Sequence, residues 1–271
     1  MNIEKIVGSI KKELKENYQN SVGIILGYSF SDFMDEVDVE KEFLLNKIEG
    51  LTLLGKDKEN TKLVFGKVNG RNIILLMGRI HYNFGYQPSD ITNMIFLLKE
   101  LGCDKLILTA SIGAISKKIK VGDVVTFTDQ INLTGRNALY GYTEKKYGNT
   151  FIDMVEPFDE QLISVLTTTA KKEMSIKVKS GVIVEFAGPS AETVCESHFA
   201  QSIGADVVGF NVCNEVIACK YCSLPVVGYA IVTNYASAYT NNRIKHEDIV
   251  YNRKCASSYY LELLCRLIKN A

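Results

Sequence analysis

The sequence predicts an α/β fold in one domain spanning residues 1–271. Three observations carry that expectation. Apolar runs of strand length alternate with stretches of helical periodicity over most of the chain. Three such runs crowd between Gly181 and Asn234, and each ends in polar residues. Val182–Ala187 gives way to Gly188-Pro189-Ser190 and then Glu192; Asp206–Phe210 meets Asn211 and a helical pattern; Val226–Val232 ends in Thr233-Asn234. Finally, 271 residues at 46% hydrophobic and 23% charged suffice for a full core, and no linker, repeat or low-complexity tract divides them. Ligands of open α/β sheets sit just beyond strand ends. The stretch from Gly181 to Asn234 therefore reads as the recognition half of a small-molecule site.

Taken in order, Ile3, Ile6, Val7, Ile10 and Leu14 mark an amphipathic first helix. Val22–Leu26 is a strand broken by Gly27-Tyr28-Ser29. Thr52-Leu53-Leu54, Leu63–Val68 and Ile73–Met77 read as successive strands, the last two joined by an Asn69-Gly70 hairpin turn. The third of these ends in Gly78-Arg79-Ile80-His81. Asp90 fits a helix N-cap and Gly102 its stop. Lys105–Thr109 is the next strand, ending in Ala110-Ser111-Ile112-Gly113-Ala114, and Val124–Phe127 follows. Residues Asn132–Pro157 form a long irregular excursion, a length that usually signals function. Asp159–Met174 is helical, and a last helix closes the chain after the polar segment Tyr235–Asn242.

Composition narrows the function. Lysine plus arginine equals aspartate plus glutamate, 31 each, which gives no electrostatic case for nucleic acid or a membrane surface. No apolar run approaches a membrane span, and the charged N-terminus lacks a signal-peptide core, so a cytoplasmic protein is expected. Seven scattered cysteines suggest reduced thiols. Cys219 and Cys222 have CxxC spacing without a second ligand pair, inside a helical pattern, and read as core thiols with no metal site. The dinucleotide, P-loop, GxSxG and HExxH motifs are all absent. What remains at strand ends is Arg79, His81, Ser111, Glu192, Asn211 and Asn234. That inventory suits an uncharged, hydrogen-bonding substrate together with an anion.

Six segments carry a family likeness: GRIHYNFGY (78–86), TASIGAISKKIKVGD (109–123), DQINLTG (129–135), AGPSAETVCE (187–196), GADVVGFNVCNEVIA (204–218) and Val232-Thr233-Asn234. In this order and at these separations they resemble the trimeric purine nucleoside phosphorylases, from about Val22 to the last helix. The resemblance implies a mixed, partly barrel-like sheet flanked by helices and a homotrimer. It also implies cleavage of purine nucleosides by inorganic phosphate to free base and ribose 1-phosphate, with no metal or organic cofactor. Carried over by position, Glu192 would accept from the purine ring N–H and Asn234 would contact O6 and N7. An amide at 234 suits inosine and guanosine. Gly113 and Thr233 would line the substrate site, Phe210 would pack beneath base and ribose, and His246 would meet the ribose 5′-hydroxyl. Arg79, His81, Ser29, the backbone at Ser111, and Asn211 would hold phosphate. Phe151 would reach into a neighbouring subunit's site.

The departures gather on the anion side. Gly27-Tyr28-Ser29 stands where the family has glycine-serine-glycine, and Glu59 aligns near a family histidine. Asn211 replaces a serine, Asn83 and Phe84 replace tyrosine and glutamate, and Ala191 replaces phenylalanine. Base recognition is retained in this pattern while the anion loop is rebuilt. A purine nucleoside hydrolase on the same fold and a non-catalytic purine or nucleoside binder are the alternative readings.

Overall fold

A computed structural model describes residues 2–51, 54, 60–142, 146–237, 243 and 245–271, with the side chains of Tyr28 and Ser29 outside that description. The strands run β1 (Ser21–Leu26), β2 (Asp38–Leu44), β3 (Lys62–Val68), β4 (Arg71–Met77), β5 (Cys103–Ala114), β6 (Val124–Leu133), β7 (Lys179–Phe186), β8 (Val207–Gly209) and β9 (Val226–Tyr235). The helices are α1 (Ile3–Glu13), α2 (Pro88–Leu101), α3 (Glu160–Met174), α4 (Val194–Ser202), α5 (Val212–Tyr221) and α6 (His246–Asn270).

All these strands join one mixed sheet in the order β2-β3-β4-β1-β5-β8-β7-β6-β9, and β9 pairs back onto β5. That return closes β5, β8, β7, β6 and β9 into a small barrel, while β1 to β4 extend from it as an open wing. The fold is thus the mixed, partly barrel-like α/β sheet that the sequence resemblance implied. Parallel pairing of β5 with both β1 and β9 buries it on two edges, which suits its run Leu106-Ile107-Leu108. Helices cover both faces. Tyr18, Phe65, Phe96 and Leu106 fill one core; Phe33, Val227, Tyr229 and Tyr260 fill the other.

Several element ends differ from the sequence reading for local physical reasons. α2 begins at Pro88, and Asp90 is the third helical residue of a capping box, its carboxylate accepting from the Gln87 N–H at 2.7 Å. The strand expected to stop at Thr109 runs on: β5 continues to Ala114 because β9 runs beside it to Tyr235. β6 likewise continues through Leu133, paired to β7. Asn69 and Gly70 do form the hairpin turn, both at positive φ (50° and 78°). β2 was not anticipated; it is a charged, half-exposed edge strand that packs little apolar surface. Thr52, Leu53 and Glu59 lie outside the described residues.

Candidate active site

β5 and β9 bring the first two site residues together. A register shift between Ile112 and Gly113 sets Gly113 opposite Asn234. A Cβ at Gly113 would lie 3.0 Å from the Asn234 Nδ2, so a larger residue would push the amide aside by a few tenths of an ångström. Thr233 is buried, and its hydroxyl bridges the Ile112 carbonyl (3.3 Å) and Asn234 Oδ1 (3.1 Å). The Asn234 Nδ2 donates to the Tyr235 carbonyl at 3.2 Å. Asn252 of α6 donates to the Thr233 carbonyl at 2.8 Å, fastening this strand end from outside.

Glu192 arrives on the segment after β7. Thr193 rather than Glu192 caps α4, through a capping box with Glu196. Glu192 therefore sits one residue outside the helix, free of a capping duty. It is only 8% exposed, and its Oε1 accepts from the Ser237 N–H at 3.2 Å while its carbonyl accepts from the Ser237 hydroxyl at 2.8 Å. Ser237 lies three residues beyond Asn234, so this double tie fixes Glu192 beside the end of β9. Burial raises the Glu192 carboxyl above the usual glutamate range, and the Ser237 N–H opposes that shift. Between the two strand ends, a Cβ at Gly188 would meet the Phe210 ring at 2.9 Å and the Asn83 Oδ1 at 3.0 Å. The 187–192 segment thus closes directly over Phe210.

The anion-side residues form a second, linked cluster. Arg79 follows β4, and its Nε and Nη2 donate to the two Glu215 oxygens at 2.9 and 3.0 Å, both side chains about 5% exposed or less. Of its five N–H donors this leaves the Nη1 side for another oxyanion. His81 Nδ1 lies 3.2 Å from Asn211 Oδ1, and the Asn211 amide donates to the Ile80 carbonyl. Asn211 caps α5 in the left-handed region (φ 75°), which asparagine tolerates better than most residues. Burial, then the nearby Arg79 charge, lower the His81 imidazole to about 4, so it is neutral.

Two acids complete this cluster and were not singled out in the sequence. Glu185 on β7 is fully buried; its Oε1 accepts from the Val212 N–H at the head of α5 (2.5 Å), and its Oε2 has no hydrogen-bond partner among the described residues. Burial, with Glu215 nearby, pushes Glu185 up to about 7. Burial raises Glu215 as well, against Arg79. The bidentate guanidinium keeps Glu215 the ionised member, so a proton on the acid pair belongs to Glu185. Tyr82, under the Arg136 guanidinium at 4.7 Å, also buries its hydroxyl without a hydrogen-bond partner among the described residues. The legible signal was a lone acid in an apolar run: Val182-Ile183-Val184-Glu185, and Glu215 ahead of Val216-Ile217-Ala218.

Ser111 is a half-buried strand residue of β5 opposite Ile231. His246 is exposed on the first turn of α6. Phe151 is 93% exposed on the excursion after β6. The Ser29 side chain lies outside the described residues. Cys219 and Cys222 are buried free thiols on and just after α5. No group of metal-ligating side chains occurs among the described residues.

A partly closed mixed sheet, with a buried glutamate and an amide at neighbouring strand ends and an arginine-histidine pair alongside, defines a class. The chain belongs to the phosphorylase superfamily, whose description matches residues 21–269. Among its relatives, purine nucleoside phosphorylase 1 of Bacillus subtilis is 28% identical over 266 residues, covering 98% of this chain and 97% of that one. The mouse purine nucleoside phosphorylase is 32% identical over 222 residues, covering 80% and 76%. Isoform 2 of the Schistosoma mansoni purine nucleoside phosphorylase, solved with cytosine and ribose-1-phosphate, superposes with a TM-score of 0.90 at 26% identity, over 98% of this chain and 95% of that one.

Proposed function

We propose that this protein is a purine nucleoside phosphorylase that cleaves the 6-oxopurine nucleosides inosine and guanosine with inorganic phosphate, giving free base and ribose 1-phosphate. The observation that carries the reading is the convergence of buried Glu192 with the Asn234 amide, tied through Ser237 and fitted against Gly113. A carboxylate accepts the ring N–H, and an amide offers a donor and an acceptor together. The departing purine carries negative charge in the transition state, and fixed donors aimed at it lower the barrier. Support for the substrate class comes from relatives named purine nucleoside phosphorylases, such as those of Bacillus subtilis and mouse. Solved Schistosoma homologues hold inosine, guanosine or adenosine, so the 6-oxo preference rests on the amide at 234 alone.

In this reading Arg79, His81, Asn211, Ser29 and the backbone at Ser111 hold phosphate, and no cofactor takes part. Phe210, Gly113 and Thr233 shape the base and ribose pocket, and His246 meets the 5′-hydroxyl. The working form is a homotrimer in the cytoplasm. Exposed Phe151, Tyr140 and Val155 on the excursion support a subunit contact, and seven free thiols suit a reducing compartment.

The test is incubation with inosine, with and without phosphate, measuring hypoxanthine and ribose 1-phosphate. Phosphate-dependent release of both is expected. Free ribose formed without phosphate makes the protein a hydrolase, and saturable purine binding without turnover makes it a binder.

A further inference from the structure

We propose that Asn252 is a positioning residue for base recognition: from α6 it holds the bulge in β9 that sets the Asn234 amide in place, an assignment that rests on Asn234 as the purine-recognising amide.

The bulge is visible in the strand register. β5 and β9 advance together from Leu106 and Val226 to Ile112 and Val232. β9 then gains a residue, because Gly113 pairs with Asn234 and Thr233 is the extra one. An unbroken register would set Asn234 beside Ala114, which carries a Cβ, instead of Gly113. On its other edge β9 is paired to β6 only as far as Ile231, so that ladder stops short of the bulge. Side chains grip Thr233 from two sides instead. Its hydroxyl lies 3.3 Å from the Ile112 carbonyl and 3.1 Å from Asn234 Oδ1. From the helix side, Asn252 Nδ2 donates to the Thr233 carbonyl at 2.8 Å. A carbonyl only accepts, so the NH2 of Asn252 is the group that faces it.

α6 can hold the bulge because it is itself fixed to the same two strands. Tyr259 lies two helical turns beyond Asn252, on the same face. Its hydroxyl donates to the Gly122 carbonyl at 2.7 Å, and the Gly122 N–H donates to the Val232 carbonyl at 2.9 Å, one residue before the bulge. The buried Tyr260 hydroxyl donates to the Tyr229 carbonyl of β9 at 3.0 Å and accepts from the Ala110 N–H of β5 at 3.3 Å. Asparagine contributes less than leucine or alanine to a helix interior. At 252 that cost is offset by a donor placed on the strand end that carries Asn234.

Two arms test the assignment. In the nitrogen-15 labelled full-length protein, the side-chain NH2 signals of Asn234 are identified by their loss in Asn234→Asp. Asn252→Leu is expected to shift or broaden them, and signals that stay unmoved overturn the proposal. The second arm is a double-mutant cycle on inosine. Asn252→Leu is expected to lower kcat/KM about tenfold in the wild type and by less than about twofold in an Asn234→Ala background. Additive losses overturn the proposal, because the effect of residue 252 then does not pass through Asn234. Asn252→Asp keeps the shape and removes the donor, so the same outcomes are read from it where leucine is not tolerated. Inosine hydrolysed without phosphate, or bound without turnover, would overturn the phosphorylase reading and leave the NMR arm unchanged, so the two fail separately.

Discussion

At Glu192 the carbonyl and one carboxylate oxygen hold Ser237, which leaves the second carboxylate oxygen for the purine N–H in the proposed reading. Removing it in Glu192→Ala is expected to lower kcat/KM for inosine by about 10- to 100-fold, the range of a charge-assisted hydrogen bond of roughly 1.5–3 kcal/mol, checked by steady-state kinetics. Its raised pKa sets a further expectation. The carboxylate is the acceptor, so protonation removes the bond, and because the native pKa lies above the usual range, activity is lost on the acid side at a higher pH than an ordinary glutamate would give. A pH profile of kcat/KM reads that limb, and Glu192→Gln should abolish it. Asn234→Asp is expected to move the inosine-to-adenosine preference toward the 6-aminopurine, measured as a ratio of kcat/KM values.

Among elements, the join of β5 and β9 and the head of α5 position everything else. Gly113→Ala places a methyl 3.0 Å from the Asn234 amide at the register shift. Activity is expected to fall sharply while the circular dichroism spectrum is kept, since the displaced group is a strand-end side chain rather than core. At α5, Glu215→Ala leaves the Arg79 guanidinium buried and unpaired; a stability loss of about 3–5 kcal/mol in denaturant unfolding is expected. These two joins also mark what the sequence could and could not disclose. Buried strands with apolar runs, such as β1, β4 and β9, were legible because burial on both faces leaves a continuous signature. Glu192 and Asn234 were legible because each ends such a run. β2 was not, because an exposed edge strand needs no apolar pattern. The extensions of β5 and β6 were not, because pairing with β9 and β7, and not their own polar residues, holds them in the sheet. The Arg79–Glu215 pair joins positions 136 residues apart, and no local spacing announces it.

For the whole molecule, Glu185 ties stability to pH. Its native pKa of about 7 lies above the unfolded value of 4.5, so the native state retains a proton that the unfolded chain has released. The stability from this group is fully present below the unfolded value and is lost as pH rises from about 4.5 through about 7. Thermal melts across that range should show the wild type losing ground to Glu185→Gln by up to about 3 kcal/mol. Assembly is tested with Phe151→Ala: light scattering and the KM for inosine are expected to change together if the exposed ring completes a neighbour's site. The closing of β9 onto β5 carries one more consequence. β5 is hydrogen-bonded to β9 along one edge from Leu106 to Ala114, and along the other to β1 at its start and β8 at its end. The amide hydrogens that β5 gives to β9 should then be among the slowest in the chain to exchange with deuterium, opening close to global unfolding.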